Sequence, residues 1–481
     1  MPESAEAPGG SVAMKRIGCF WGQAVSRPGL SRPNPRSVAS SLLQWITGVF
    51  LNEVGRDLPL RYDEMTKARN GHVGQKIGSE FLGMFEGVLM IKLPRVLLSL
   101  GLAGMVVAGG LFAQSPDPIP DPVVSPANPT QPTPLAEESP RWFKGNLHTH
   151  SLWSDGNDFP EMIVDWYRSK GYNFLALSDH NILGQDRRWM STIVVNKRTR
   201  GHDAFEKYRK RFGDSWVETR TISDDQQVRI KPLYEYRTLF EETGQFLLIQ
   251  SEEITDKCQG KDIHMNATNL VELIRPRGGT SVVETMKNNL AMVEAQRRRY
   301  GRPMLIHLNH PNFTWSITAE ELAMVLRERF FEVYNGHPQT HQLGDKNHAS
   351  VERIWDIVNT LRIAEMNTAP VYGLATDDSH HYFSSRMNDS TPGRGWIMVE
   401  AKHLTPESLI QSMEIGRFYA SSGVTLKSVN YSDSSNTLEL EIVPKGNTKY
   451  TTQFLGTLED YDPARKPVLS ESGMPLPVTQ V

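Results

Sequence analysis

Residues 145–181 read GNLHTHSLWSDGNDFPEMIVDWYRSKGYNFLALSDHN. The stretch opens on a strand-like run, GNLHTHS, and passes through PEMIVDWYRSKG, whose apolar residues recur at helical spacing. It closes on a second strand-like run, NFLALSDHN. Strand, helix and strand in 37 residues is a βαβ beginning, and the alternation continues downstream. Further strands are expected in QFLLIQSEEIT, PMLIHLNHPN, FFEVYNGH, VYGLATDDSHH and GWIMVEA. The helices between them are SVVETMKNNLAMVEAQRRR, TAEELAMVLRER, VERIWDIVNTLR and TPESLIQSMEIGR. Such repetition predicts an α/β fold with a parallel sheet closed, or nearly closed, into a (β/α) barrel. The polar stretch 184–243 breaks the rhythm and is expected to be an insertion over the mouth, as a lid or side wall. Beyond Ser421, LKSVNYS, TLELEIVP and KYTTQFLGTLE alternate like strands without helices between them, predicting a small β-rich, sandwich-like appendage over 425–481.

The chain has 481 residues, enough for two or three domains. With 52 basic against 55 acidic residues its net charge is −3, so no stable nucleic-acid partner is indicated. The two cysteines, Cys19 and Cys258, exclude a disulfide framework or a cysteine-based zinc site. Residues 96–112, VLLSLGLAGMVVAGGLF, are uncharged and apolar, preceded by Lys92 and Arg95 and followed by Ala113-Gln114-Ser115. The span 90–113 therefore reads as a signal peptide, or alternatively a membrane anchor at 96–112, and 114–141 as a Pro-rich linker. On this reading residues 1–89 are an extension of the gene model, and the chain is exported to the periplasm or cell exterior, remaining membrane-anchored if 96–112 is an anchor.

Chemistry gathers at the ends of the expected strands. His148 and His150 are two apart, which puts both imidazoles on one face of a strand. Asp155 follows at a Ser-Asp-Gly turn, and the next strand ends in Ser178-Asp179-His180. Later strand ends carry Glu252-Glu253, His310-Pro311 and Asp378-Ser379-His380, with His264 in a short segment between strands. In a parallel barrel these ends converge on one mouth. Imidazole and carboxylate without thiolate suit Zn, Mn or Fe. Polar groups buried together without partners would each cost about 1–3 kcal/mol, and bound metal removes that cost.

The ordered set H-x-H, S-D-G, S-D-H-N, E-E-I-T, I-H-M-N, N-H-P and D-D-S-H resembles the polymerase and histidinol phosphatase (PHP) family. GNLHTHSLWSDG and GRFYASSG are similar to its carbaryl-hydrolase-like branch. The resemblance spans about 142–424 and implies a distorted (β/α)7 PHP-type barrel. It also implies two or three divalent ions. One would be held by His148, His150, Glu253 and Asp378, with Glu253 bridging to a second completed by His264 and His310. Asp155, His180 and His380 would hold a third. Of these, His150, Glu253, Asp378 and His380 are expected at the catalytic centre. The chain departs from the family at Asp155, where other members carry histidine.

Such a cluster would activate water as a metal-bridging hydroxide and polarise a phosphoryl or carbonyl oxygen. The resemblance implies a phosphoesterase acting on a small anionic phosphate mono- or diester. A carboxylester, carbamate or amide hydrolase is the second reading, and a non-catalytic metal- or glycan-binding module the third. Around the nine, Asp179 and Asp377 read as groups orienting imidazoles. His307 and Glu332 are core polar groups or cavity wall. His381, Arg386 and Arg187 are candidates to grip an anionic substrate, and His337, His341 and His348 are expected in solvent on a loop.

Overall fold

β1 (Arg141–Asn146) runs parallel to β2 (Phe174–Leu177), and α1 (Pro160–Ser169) crosses between them. Pro160 occupies the first turn of α1, where its missing N–H costs nothing, and Ile163, Val164 and Tyr167 form the buried face. The computed structural model describes residues 139–457 apart from 433 and 436. Residues 1–138 and 458–481 lie outside the described residues, and with them the signal-peptide or anchor reading and the end of the appendage. Among the described residues no helix is long and apolar enough to cross a membrane.

The stretch 184–243 folds as β3 (Arg188–Ser191), α2 (Thr192–Arg198), α3 (Ala204–Phe212), β4 (Thr219–Ile222), β5 (Asp225–Ile230) and α4 (Leu233–Phe240). Its strands form an antiparallel sheet in the order β3-β5-β4. Met190, Phe205, Tyr208, Val228 and Ile230 share a core with Leu152, Trp153 and Phe159 of the loop after β1. The segment therefore has an apolar interior of its own, which its polar sequence average conceals.

The chain then returns to the barrel through β6 (Leu247–Cys258) and β7 (Lys261–Thr268). α5 (Val282–Tyr300) leads into β8 (Leu305–Leu308), α6 (Ala319–Ala323) into β9 (Phe330–Asn335), and α7 (Val351–Thr360) into β10 (Tyr372–Thr376). β11 (Trp396–Ala401), α8 (Pro406–Glu414) and β12 (Phe418–Ser421) complete it. Neighbours in the main sheet run β10-β9-β8-β7-β6-β2-β1-β11-β12. The ring closes past the strand ends, where Thr149 bridges Ser379 in parallel register. There His150 N donates to Ser379 O at 3.0 Å and Asp378 N donates to His148 O at 3.0 Å. Seven strands, β1, β2 and β6–β10, thus enclose the site end, as a distorted (β/α)7 barrel requires.

The distortion is β7. As β11 does against β1 and β12, it runs antiparallel to its neighbours, here β6 and β8, where the strand alternation predicts a parallel sheet. The physical reason is the turn: Gln259 (φ 52°) and Gly260 (φ 82°) form a two-residue connection, and a parallel crossover needs a dozen residues or more. The segment carrying His264 is therefore a full strand of the barrel wall, paired between β6 and β8. Helix prediction was also long in one place. TAEELAMVLRER yields only Ala319–Ala323, started by a reciprocal capping box between Thr318 and Glu321.

At the C-terminal end β13 (Leu426–Ser432) and β14 (Thr437–Ile442) form an antiparallel hairpin. Residues 449–457 of the expected third strand are not in a strand, so the described appendage is a hairpin packed on Tyr419 and Val424.

Candidate metal centre

The nine residues singled out at strand ends come together at one mouth. His148 Nε2 and His150 Nε2 are 3.1 Å apart, and Asp378 Oδ1 lies 3.2 and 3.1 Å from them. Asp378 has φ 47°, a left-handed backbone that is costly for a residue with a side chain. The bonds across the β1–β10 seam hold it there and turn its carboxylate inward.

Glu253 is the hub. Five imidazoles surround its buried carboxylate: His180 Nδ1 at 2.8 Å, His264 Nδ1 at 3.0 Å, His150 Nε2 at 3.3 Å, His148 Nε2 at 3.4 Å and His310 Nε2 at 3.6 Å. Burial alone would raise its pKa; His180, His148 and His264 reverse that and hold it well below the usual carboxylate range. His180 answers in the opposite sense. Burial pushes an imidazole down, but Glu253 and Asp155 overcome it and raise His180 to about 11.

Asp155 lies at the outer edge with His150, His180 and His380. Its oxygens are 3.6 Å from His150 Nδ1, 3.5 Å from His180 Nε2 and 3.4 Å from His380 Nε2, and its side chain is 55% exposed. Three sets of donor atoms are close enough to hold an ion each: His148-His150-Glu253, His180-Glu253-His264 and His150-Asp155-His180-His380. His310 Nε2 stands within 3.9 Å of Asp378 Oδ2, beside the first two. The sets share His150, His180 and Glu253, so His180 stands between two sites where the family pattern implies only one.

The donor chemistry fits divalent cations. Glu253 Oε2 and His264 Nδ1 are buried and make no well-aligned hydrogen bond, although His180 Nδ1 lies 2.8 Å from the first and Glu253 Oε1 3.0 Å from the second, and both belong to these sets. Buried polar atoms are ordinarily satisfied, so a lone pair left free inside a carboxylate–imidazole cluster is what a ligand atom requires.

The surrounding residues differ from the sequence reading. His148 Nδ1 donates to Glu332 Oε1 at 2.6 Å, so the group that orients an imidazole is Glu332. Burial would raise Glu332, but His148 beside it holds it low. Asn309 donates to Glu253 Oε1 at 2.7 Å, and Asn335 donates to Asp378 Oδ2 at 3.1 Å and to Glu332 Oε2 at 2.7 Å. Thr255 Oγ1 is 2.6 Å from His180 Nδ1. Asn309, inside the quoted N-H-P, and Thr255, inside the quoted E-E-I-T, had a sequence signal, and Glu332 was named from the sequence as core or cavity wall; Asn335 had none.

Asp179 and Asp377 orient no imidazole directly. Asp179 accepts from the main-chain N–H and hydroxyl groups of Ser151 and Ser154, pinning the loop that carries Asp155. Asp377 accepts from the Tyr167 hydroxyl and from the main-chain N–H groups of Gly393, Arg394 and Gly395. Both carboxylates hold loops because main-chain donors reach them first. His307 is buried behind the cluster, 3.5 Å from Glu332. His381 is half-buried and its Nδ1 accepts from Ser390 N, while Arg187 and Arg386 are exposed. His341 is in solvent and His348 half-buried, stacked on either side of Trp315. His337 departs from the expectation: it is half-buried, its ring centroid 5.3 Å from that of His380, and burial pushes it down to about 4.

No family model and no curated protein matches the chain. Among solved structures it is similar to a two-domain protein from Bacteroides vulgatus containing a predicted PHP-like metal-dependent phosphoesterase. That likeness has 15% identity and TM-score 0.34, covering 64% of this chain and 78% of that one. A candidate metal-dependent phosphoesterase from Bifidobacterium adolescentis is also similar, with 11% identity and TM-score 0.25, covering 50% of this chain and 89% of that one.

Proposed function

We propose that this chain is a metal-dependent hydrolase, and specifically a phosphoesterase acting on a small phosphate mono- or diester. The observation that carries the reading is Glu253, a buried carboxylate ringed by five imidazoles within 3.6 Å, one of its oxygens making no well-aligned hydrogen bond to any of them. Packing that many coordinating groups around one carboxylate makes sense for holding cations.

His148, His150, Glu253 and Asp378 would hold one divalent ion, Glu253, His264 and His310 a second, and Asp155, His180 and His380 a third, as Zn, Mn or Fe. Bound there, such ions supply Lewis acidity and make water a nucleophile near neutral pH. The chain's own contribution is orientation. Glu332 keeps His148 in the tautomer whose Nε2 faces the cluster, and Asn309 and Asn335 fix the carboxylates of Glu253 and Asp378. Asp179 holds the Ser151–Ser154 turn, so that Asp155 stays within reach of three imidazoles.

The test is turnover by the full chain loaded with Mn or Zn, on p-nitrophenyl phosphate, bis(p-nitrophenyl) phosphate and naphthyl acetate. Hydrolysis of a phosphate ester, lost together with bound metal in His148→Ala, is expected. Cleavage of the acetate alone would move the assignment to carboxylesters. Metal binding with no turnover of any ester would overturn it.

A further inference from the structure

We infer that His337 is a substrate-binding residue: its Nε2–H donates a hydrogen bond to a phosphoryl oxygen of the ester held over the cluster. The inference rests on the phosphoesterase reading and adds a donor that belongs to none of the candidate ion-holding sets.

The placement comes from the chain just after β9. Gly336 passes so close to the neighbouring strand end that an added Cβ would meet Asp377 O at 2.8 Å and Arg394 Cβ at 3.0 Å. Only glycine fits there, and the next side chain, His337, lies against His380. The His337 ring meets His380 edge-to-face at 70°. The charges that act on it come from Asp378, His380, His310 and His150, which belong to different parts of the cluster. His337 therefore stands beside the cluster, against His380.

Its tautomer is set by the backbone. The main-chain N–H of Gln339 donates to His337 Nδ1 at 3.2 Å, so Nδ1 carries the lone pair and a neutral ring has its proton on Nε2. The rest of the turn is tied down: His337 N donates to Asn335 Oδ1 at 2.7 Å, and the Thr340 hydroxyl donates to His337 O at 2.8 Å. Asn335 is the residue that also holds Asp378, so donor and cluster share one anchor. Among the described contacts Nε2 has no hydrogen-bond partner.

An anionic ester needs such a donor because the nearby guanidinium groups are committed elsewhere. Arg394 donates to the carbonyls of Gly336, Met387 and Asp389, Arg198 to those of Ser154 and Gly156, and Arg188 to that of Trp153. Arg200 is paired with Asp389. These four cations brace the loops of the mouth and Arg187 and Arg386 stand exposed in solvent, while His337 is half-buried against His380 of the cluster.

The experiment compares wild type, His337→Phe and His337→Gln as full chains loaded with Mn. Metal stoichiometry, the calorimetric Kd for inorganic phosphate, and kcat and KM on bis(p-nitrophenyl) phosphate are measured for each. His337→Phe should keep the metal and the Tm, bind phosphate about tenfold to a hundredfold more weakly and lose a similar factor in kcat/KM. His337→Gln, which restores an N–H, should recover most of the loss. Unchanged phosphate binding in His337→Phe overturns the inference, as does equal loss in both variants or loss of metal. If wild type neither binds phosphate nor cleaves any ester, the phosphoesterase reading fails first and takes this inference with it.

Discussion

His148 Nδ1 lies 2.6 Å from Glu332 Oε1, and both side chains are fully buried. Glu332 also accepts from Thr376 Oγ1 at 2.8 Å, from His310 N at 2.9 Å and from Asn335 Nδ2 at 2.7 Å. One carboxylate on β9 therefore fixes β1's histidine, the His310 backbone and the end of β10. A carboxylate behind a ligating imidazole sets its tautomer and raises its basicity.

The first prediction follows from that contact. Glu332→Gln should lower metal affinity by about tenfold, since the neutral amide still accepts from Nδ1–H but no longer supports charge. Competition with a chelator measures it, and an unchanged affinity would assign Glu332 to packing alone.

Asp155 supplies the second. It is the one member of the nine on the surface side of the cluster, with 55% of its side chain exposed. Asp155→Ala should remove one equivalent of bound metal and leave the ions at Glu253 in place, with little effect on folding. Elemental analysis decides it, and retention of every equivalent would remove Asp155 from the ligand set.

The third concerns pH and lies at the opposite end of β9. Burial raises Glu328 from near 4.5 to about 8, and its Oε2 has no hydrogen-bond partner. Between those two values the folded chain holds a proton that the unfolded chain has released. The contribution of this group to stability is therefore fully present below about 4.5 and is lost as pH rises through 8. Glu328→Gln should remove that dependence and leave the variant more stable than wild type at pH 9, by an amount on the order of 3 kcal/mol. Denaturant melts at pH 5 and pH 9 test it, and parallel pH profiles for the two proteins would contradict it.

A fourth prediction concerns Arg362, in the turn after α7. It is fully buried and donates to the carbonyls of Leu322, Ala323, Val325 and Glu328 at 2.7–3.3 Å. One guanidinium thus satisfies the end of α6 and the bend that replaces the expected longer helix. Arg362→Met keeps the bulk and strands the carbonyls, which should cost about 3 kcal/mol or more. A Tm within a degree of wild type would show that the carbonyls find other partners.

Much of the architecture was legible because period and spacing are local properties. The 145–181 stretch announced α1 and β2 and the end of β1, which begins at Arg141 and stops at Asn146 before the two histidines, and that pair two apart already implied a shared target. The reversal of β7 was not legible, since it depends on how Gln259 and Gly260 turn, and neither residue type dictates that alone. The roles of Asp179 and Asp377 were misjudged for a related reason. Adjacency to a histidine suggested they served it, whereas the nearest donors came from loops 17 to 25 residues away, as with Arg394 for Asp377 and Ser154 for Asp179.

The sequence by itself determined the inventory: an α/β chain whose strand ends carry imidazoles and carboxylates in an order that resembles a metal-site family. Residue type and period are enough for that, because side-chain direction alternates along a strand whatever its neighbours are. Only the tertiary structure decided which groups face one another. It put five imidazoles on Glu253, gave Glu332 to His148 and brought His337 against His380. Those pairings depend on ring closure between Thr149 and Ser379, a contact between residues 230 positions apart that no local pattern can encode.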